Sequence, residues 1–178
     1  MGVKYFFSFP EVFEELWLKP VLWLTPLFVW NLFLGKDRLI MFRPKTVKKS
    51  VTVGLIVAFV YWLLFGVIAG KEFVFDFEKI GISFAVAVTE ELVFSGAIYG
   101  RLEKLLGESY LPIFITSVFA VLSRLPILMF KESLNYQLVV AVLVLVFCYS
   151  GLNAWIRQMS RNVSGSILAR FVLVLITI

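Results

Sequence analysis

The chain has 178 residues, of which 61% are hydrophobic, 17% aromatic and only 16% charged, with a formal net charge of +5, one cysteine and no histidine. A mean hydropathy of +0.94 excludes an ordinary water-facing surface, because soluble domains carry about 25% charged residues. The lone Cys148 excludes an intrachain disulfide and a cysteine-built zinc cage, and the missing imidazole removes the commonest general base and metal ligand.

In chain order, Phe6, Phe9, Phe13, Leu16 and Trp17 recur every three or four residues, with Glu11, Glu14 and Glu15 on the other side. Ser8 and Glu11 have capping-box spacing and Pro10 suits a first helical turn. This pattern predicts an N-terminal helix lying in the membrane interface rather than a cleaved signal. Apolar runs follow at 20–35, 51–70, 80–100, 111–130, 138–156 and 166–178. A bilayer core of ~30 Å takes roughly 20 helical residues. The expected fold is therefore all-α: an integral membrane helical bundle of about six transmembrane helices plus the interfacial helix, in a single domain over 1–178. Short polar connections leave no room for a second domain. Two GxxxG patterns, Gly66–Gly70 and Gly96–Gly100, predict close helix contacts.

Basic residues are unevenly shared among the connections. Lys36, Arg38, Arg43, Lys45, Lys48 and Lys49 crowd the first, and Arg101, Lys104, Arg157 and Arg161 lie on the same side. The positive-inside bias places the loops at 36–49, 101–110 and 157–165 in the cytoplasm and both termini outside. The basic excess then meets anionic lipid. A nucleic-acid partner is not expected, since no soluble fold carries the charge. Tyr5, Trp17, Trp23, Trp30, Trp62 and Trp155 suit the aromatic belts of a bilayer.

Four ionisable residues fall inside apolar runs: Glu90, Glu91, Arg124 and Arg170. A charge near the bilayer centre costs roughly 2.5–3.5 kcal/mol on insertion scales, so it persists when it is paired, wetted or functional. Glu90 and Glu91 are ~100° apart around a helix and cannot serve one face equally. Two acids and two arginines sum to zero, which predicts that Glu90 or Glu91 pairs with Arg124 or Arg170.

The run Thr89-Glu90-Glu91-Leu92-Val93-Phe94-Ser95-Gly96-Ala97-Ile98 resembles the EExxxR motif of the CAAX prenyl protease and bacteriocin-processing (CPBP) family. Ser117-Val118-Phe119-Ala120 resembles the helix of that family's FxxxH motif. Ser164-Gly165-Ser166-Ile167 is similar to the entry into its last motif helix, where HxxxN stands. The resemblance is strongest over 80–174. It implies a membrane-embedded glutamate-type endopeptidase in which Glu90 would activate water and Glu91 would be the partner carboxylate. The arginine position of the first motif is Ser95, the FxxxH histidine position is Ser123, and the last histidine falls on Arg170 or Val174 depending on register.

Those replacements weigh against catalysis. A serine cannot fork onto Glu91 as a guanidinium does. Losing one oxyanion donor commonly costs about 10²–10³ in rate, and losing several members of a constellation leaves residual catalysis. Two carboxylates without His or Cys make a poor zinc site, so no metal and no cofactor are expected. The expectation is a CAAX-protease-like membrane protein with a degenerate site, acting as a binding or scaffold protein. Its partners would be membrane lipids and another membrane protein, or a hydrophobic or prenylated peptide. The alternatives are an active glutamate-dependent endopeptidase, in which Ser95, Phe119 and Ser123 would line the cavity beside Glu90 and Glu91, and a small transporter or lipid-binding protein.

Overall fold

The computed structural model describes residues 13–33, 41–68, 70, 76–129 and 135–178. Among the described residues six helices form a bundle: α1 (Lys19–Phe33), α2 (Pro44–Ile68), α3 (Phe77–Leu106), α4 (Leu111–Met129), α5 (Tyr136–Ser160) and α6 (Ser164–Thr177). No strand occurs among the described residues. At 1.5 Å per residue, α2 and α5 (25 residues each) and α3 (30 residues) reach about 38–45 Å and exceed the ~30 Å hydrocarbon core. The remaining three helices are apolar but shorter. With the 14 residues of α6, the last extends only about 21 Å.

The helix boundaries differ from the apolar runs in an informative way. α2 begins at Pro44, so Lys45, Lys48 and Lys49 occupy its first turns rather than a loop. α3 continues through Arg101 and Lys104, and α5 through Arg157. Helical hydrogen bonding does not stop where hydropathy falls; it stops at caps and breakers. Asp76 caps α3 by accepting the Glu78 N–H at 3.1 Å, and Asn135 caps α5 by accepting that of Gln137 at 3.3 Å. Gly107 closes α3 with φ +75° and an extended ψ of −176°, and Arg161 closes α5 in the left-handed αL conformation with φ 53°. The expected interfacial helix falls mainly on residues outside those described. From Glu14 the chain winds directly into α1.

Helix α6 is the hub, packing against α2, α3 and α5. Its closest approach is to α2, where Gly54 meets Gly165 backbone to backbone. A Cβ on Gly165 would fall on the Ser50 carbonyl. The crossing is fastened by hydrogen bonds: Ser50 Oγ accepts the Gly165 N–H at 2.8 Å and donates to the Asn162 carbonyl at 3.0 Å. Small residues let helices touch in lipid, where no hydrophobic force drives them together. This closest approach lies outside the two GxxxG patterns. A Cβ on Gly66 would meet Trp62 of its own helix, Gly70 faces open space, and Gly96 faces the Met41 side chain. Val57, Tyr61, Ala120, Val146, Tyr149, Ile156, Ala169 and Leu173 form the apolar core beside that crossing.

Candidate functional site

Helix α3 carries the two adjacent acids at its midpoint. Immediately after Glu91 its winding widens to π-helical over Leu92–Ile98, a local change that is frequent at functional sites. Both acids are 3% exposed, and they look in different directions, as a 100° step requires.

Glu90 meets cations from three helices. Its Oε2 accepts two N–H groups of the Arg170 guanidinium on α6, Nη2 at 2.6 Å and Nε at 3.2 Å. Its Oε1 accepts from Arg124 Nη2 on α4 and lies 3.4 Å from Lys19 Nζ at the start of α1. The Arg170 guanidinium also lies over the Tyr149 ring, 3.9 Å from its centroid. That stack fixes the guanidinium plane and adds cation–π attraction of about 2 kcal/mol where water is excluded.

Glu91 meets neutral donors instead. Ser95, one turn further along α3, donates from Oγ to Oε2 at 2.5 Å, and Asn153 of α5 donates from Nδ2 to Oε1 at 2.6 Å. The wide turn after Glu91 does not break the i, i+4 pairing with Ser95. The Asn153 carbonyl oxygen is buried with no hydrogen-bond partner, and so is the Tyr61 hydroxyl.

Of the residues singled out from sequence, the fold brings Glu90, Glu91, Ser95, Arg124 and Arg170 into one contiguous polar cluster. Ser123 stays outside its hydrogen bonding, giving its hydroxyl to the Ala120 carbonyl one turn back at 2.7 Å. Helix α4 thus turns Arg124, not Ser123, toward Glu90. Phe119 is 47% exposed and lines a separate apolar groove between α1, α3 and α4. Val174, the other candidate for the last motif position, is buried against Ile82 and Val86 in an apolar patch. Arg170 is the α6 residue that faces the acid.

Three participants escaped the sequence reading: Lys19, Tyr149 and Asn153. Lys19 looked like a boundary residue because Pro20 begins the apolar run. Asn153 carried a signal, since an amide inside an apolar span needs a partner, but a survey of charged groups alone passes over it.

A cavity of about 470 Å³ adjoins the cluster, with Lys19, Arg124 and Arg170 at its inner end and Asp76, Glu78 and Lys79 near its other end. Along α3, Glu78 and Glu90 are 12 residues apart, or ~18 Å, so the cavity leads from one end of the bundle toward mid-depth. Chemically, the cluster binds charge well and offers no unoccupied carboxylate oxygen. Both oxygens of Glu90 and both of Glu91 already accept protein donors.

A family model described as type II CAAX prenyl endopeptidase Rce1-like matches residues 77–176, more than half of the chain. Neither curated proteins nor solved structures give a significant match.

Proposed function

This chain belongs to the Rce1-like family of type II CAAX prenyl endopeptidases, and we propose that it is a member whose protease site has become a structural ion-pair network, leaving a binding or scaffold role. The protein is an integral membrane, CAAX-protease-like protein. The observation that carries the proposal is the coordination of Glu90. A general base must present a lone pair to the water it activates, within about 2.6–3.2 Å. Here two guanidinium groups engage both carboxylate oxygens with three hydrogen bonds. The motif arginine and the FxxxH histidine positions are Ser95 and Ser123, so the groups that would steady a partner carboxylate and an oxyanion are gone with the imidazoles.

The proposal includes topology. All six helices cross the bilayer, the three short ones covered by their neighbours or by local thinning. The end bearing 41–49, 101–110 and 157–165 faces the cytoplasm under the positive-inside bias. The partner is another membrane protein or a hydrophobic or prenylated peptide. It is retained without being cut.

One observation favours an active enzyme as the second reading. The cavity beside Lys19, Arg124 and Arg170 gives room for substrate and water where Glu90 would become available if its guanidinium partners swung away. Purified protein in liposomes, given a farnesylated peptide, decides between the two by mass spectrometry of the products. The proposal expects no C-terminal fragment above the level given by Glu90→Ala. Cleavage that disappears in Glu90→Ala establishes the enzyme instead.

A further inference from the structure

The groove that takes Phe119 is separate from the acid cluster and has its own chemistry. It occupies about 460 Å³ between α1, α3 and α4, and its walls include Trp23, Trp30, Val93, Leu102 and Phe119. The single charged residue in its lining is Arg101. Arg101 Nε and Nη2 are buried and have no hydrogen-bond acceptor. Burying a guanidinium N–H without an acceptor is costly; Arg124 and Arg170 have Glu90, and Arg161 has Glu108, whereas Arg43 Nε is buried without an acceptor as the two Arg101 nitrogens are.

From these observations we infer that the groove holds one acyl chain of an anionic phospholipid, with the lipid phosphate received by Arg101. The dimensions agree with one leaflet. Val93 and Leu102 are nine residues apart on α3, about 14 Å of helix, against about 15 Å for half of a ~30 Å hydrocarbon core. Glu90 and Glu91 mark the midpoint of the 30-residue α3. Val93 then lies just off the bilayer centre and Arg101 at headgroup level. A guanidinium forks onto phosphate oxygens as a planar bidentate donor; because Arg101 Nε and Nη2 are buried, seating the phosphate includes a rotation of that side chain toward the groove.

Charge selects the class of lipid. Over 41–49, 101–110 and 157–161 the chain carries eight Lys and Arg residues against Glu103 and Glu108. Each basic group near the surface favours anionic over zwitterionic headgroups. A prenyl chain would fit the apolar walls, but it is attached to a peptide in a prenylated substrate and brings no phosphate to Arg101. The inference is independent of whether the Glu90 cluster is catalytic.

The test uses the full chain in detergent micelles, examined by native mass spectrometry with phosphatidylglycerol, phosphatidylcholine and a farnesylated peptide as separate probes. Phosphatidylglycerol is expected to be retained at one copy per chain in preference to phosphatidylcholine. Arg101→Gln is expected to weaken that retention about tenfold, the loss of one charge-assisted hydrogen-bond pair, and Arg101→Lys to weaken it less. Val93→Trp, which fills the end of the groove about two helical turns away from the arginine, is expected to abolish it while the melting temperature stays near that of the parent. Equal retention of both lipids, unchanged retention in Arg101→Gln, or displacement of phosphatidylglycerol by the farnesylated peptide alone would each overturn the inference.

Discussion

Replacing Arg170 by leucine removes the most enclosed partner of Glu90. The Arg170 side chain is 7% exposed, against 26% for Arg124, and it contributes two hydrogen bonds to one carboxylate oxygen and the stack on Tyr149. Removing one member of a buried pair costs about 3–5 kcal/mol. Because Arg124 and Lys19 still face Glu90, the expected loss is at the lower end, about 3 kcal/mol. For a chain of this size that lowers the melting temperature by about 6–12 °C. Glu90→Gln strands two guanidinium groups at once and is expected to be worse than Arg170→Leu. The double variant Glu90→Gln/Arg170→Leu relieves part of the mismatch, so the cycle shows a coupling of about 2 kcal/mol. The assay is thermal or denaturant unfolding of purified protein in one fixed detergent, followed by tryptophan fluorescence. A melting temperature for Arg170→Leu within 2 °C of the parent, or strict additivity in the cycle, would refute the reasoning.

Further outcomes follow from the same geometry. Asn153→Leu deletes the amide donor to Glu91 Oε1 and is expected to cost about 1–3 kcal/mol, whereas Ser95→Ala costs less because it removes a local bond within α3; unfolding midpoints check both. Gly165→Leu forces a side chain into the Ser50 backbone and is expected to lower folded yield sharply, beyond the ~1–3 kcal/mol of ordinary overpacking, as read by size-exclusion chromatography. A like substitution at Gly70, which faces open space, pays only for its left-handed backbone and leaves yield close to the parent. Restoring Ser95→Arg and Ser123→His together is expected to leave farnesylated-peptide cleavage at background, because Arg124 and Arg170 still occupy Glu90; cleavage in that variant would show that the guanidinium contacts do not block the acid.

Much of this fold was readable from hydropathy, because an apolar run in lipid satisfies its backbone as a helix. The four charges within apolar runs were readable for the same reason: Glu90, Glu91, Arg124 and Arg170 stand in stretches where ionisable groups are expensive if lipid surrounds them. Which cation meets which acid was not readable. Arg124 and Arg170 lie 34 and 80 residues from Glu90, and only packing decides that both reach the same carboxylate. Motif spacing placed emphasis on Phe119 and Ser123, which share a helical face at i, i+4. The helix presents the neighbouring face, 100° away, and so Arg124 answers Glu90 while Phe119 points to the lipid-side groove. The tight crossing at Gly54 and Gly165 has no GxxxG spacing because its two glycines lie on different helices, and a pattern within one helix cannot reveal it. Arg101 was read as part of a basic cytoplasmic loop; the structure places it on α3 with two buried donors that lack an acceptor.

The central claim is that guanidinium groups hold Glu90 closed, and carboxyl labelling tests it most directly. A hydrophobic carbodiimide reaches acids within membranes and reacts with carboxyl groups that are accessible and protonated. Peptide mapping after labelling is expected to show Glu90 unmodified in the parent protein and modified when Arg124 and Arg170 are both replaced by methionine. Prompt labelling of Glu90 in the parent protein would contradict the account.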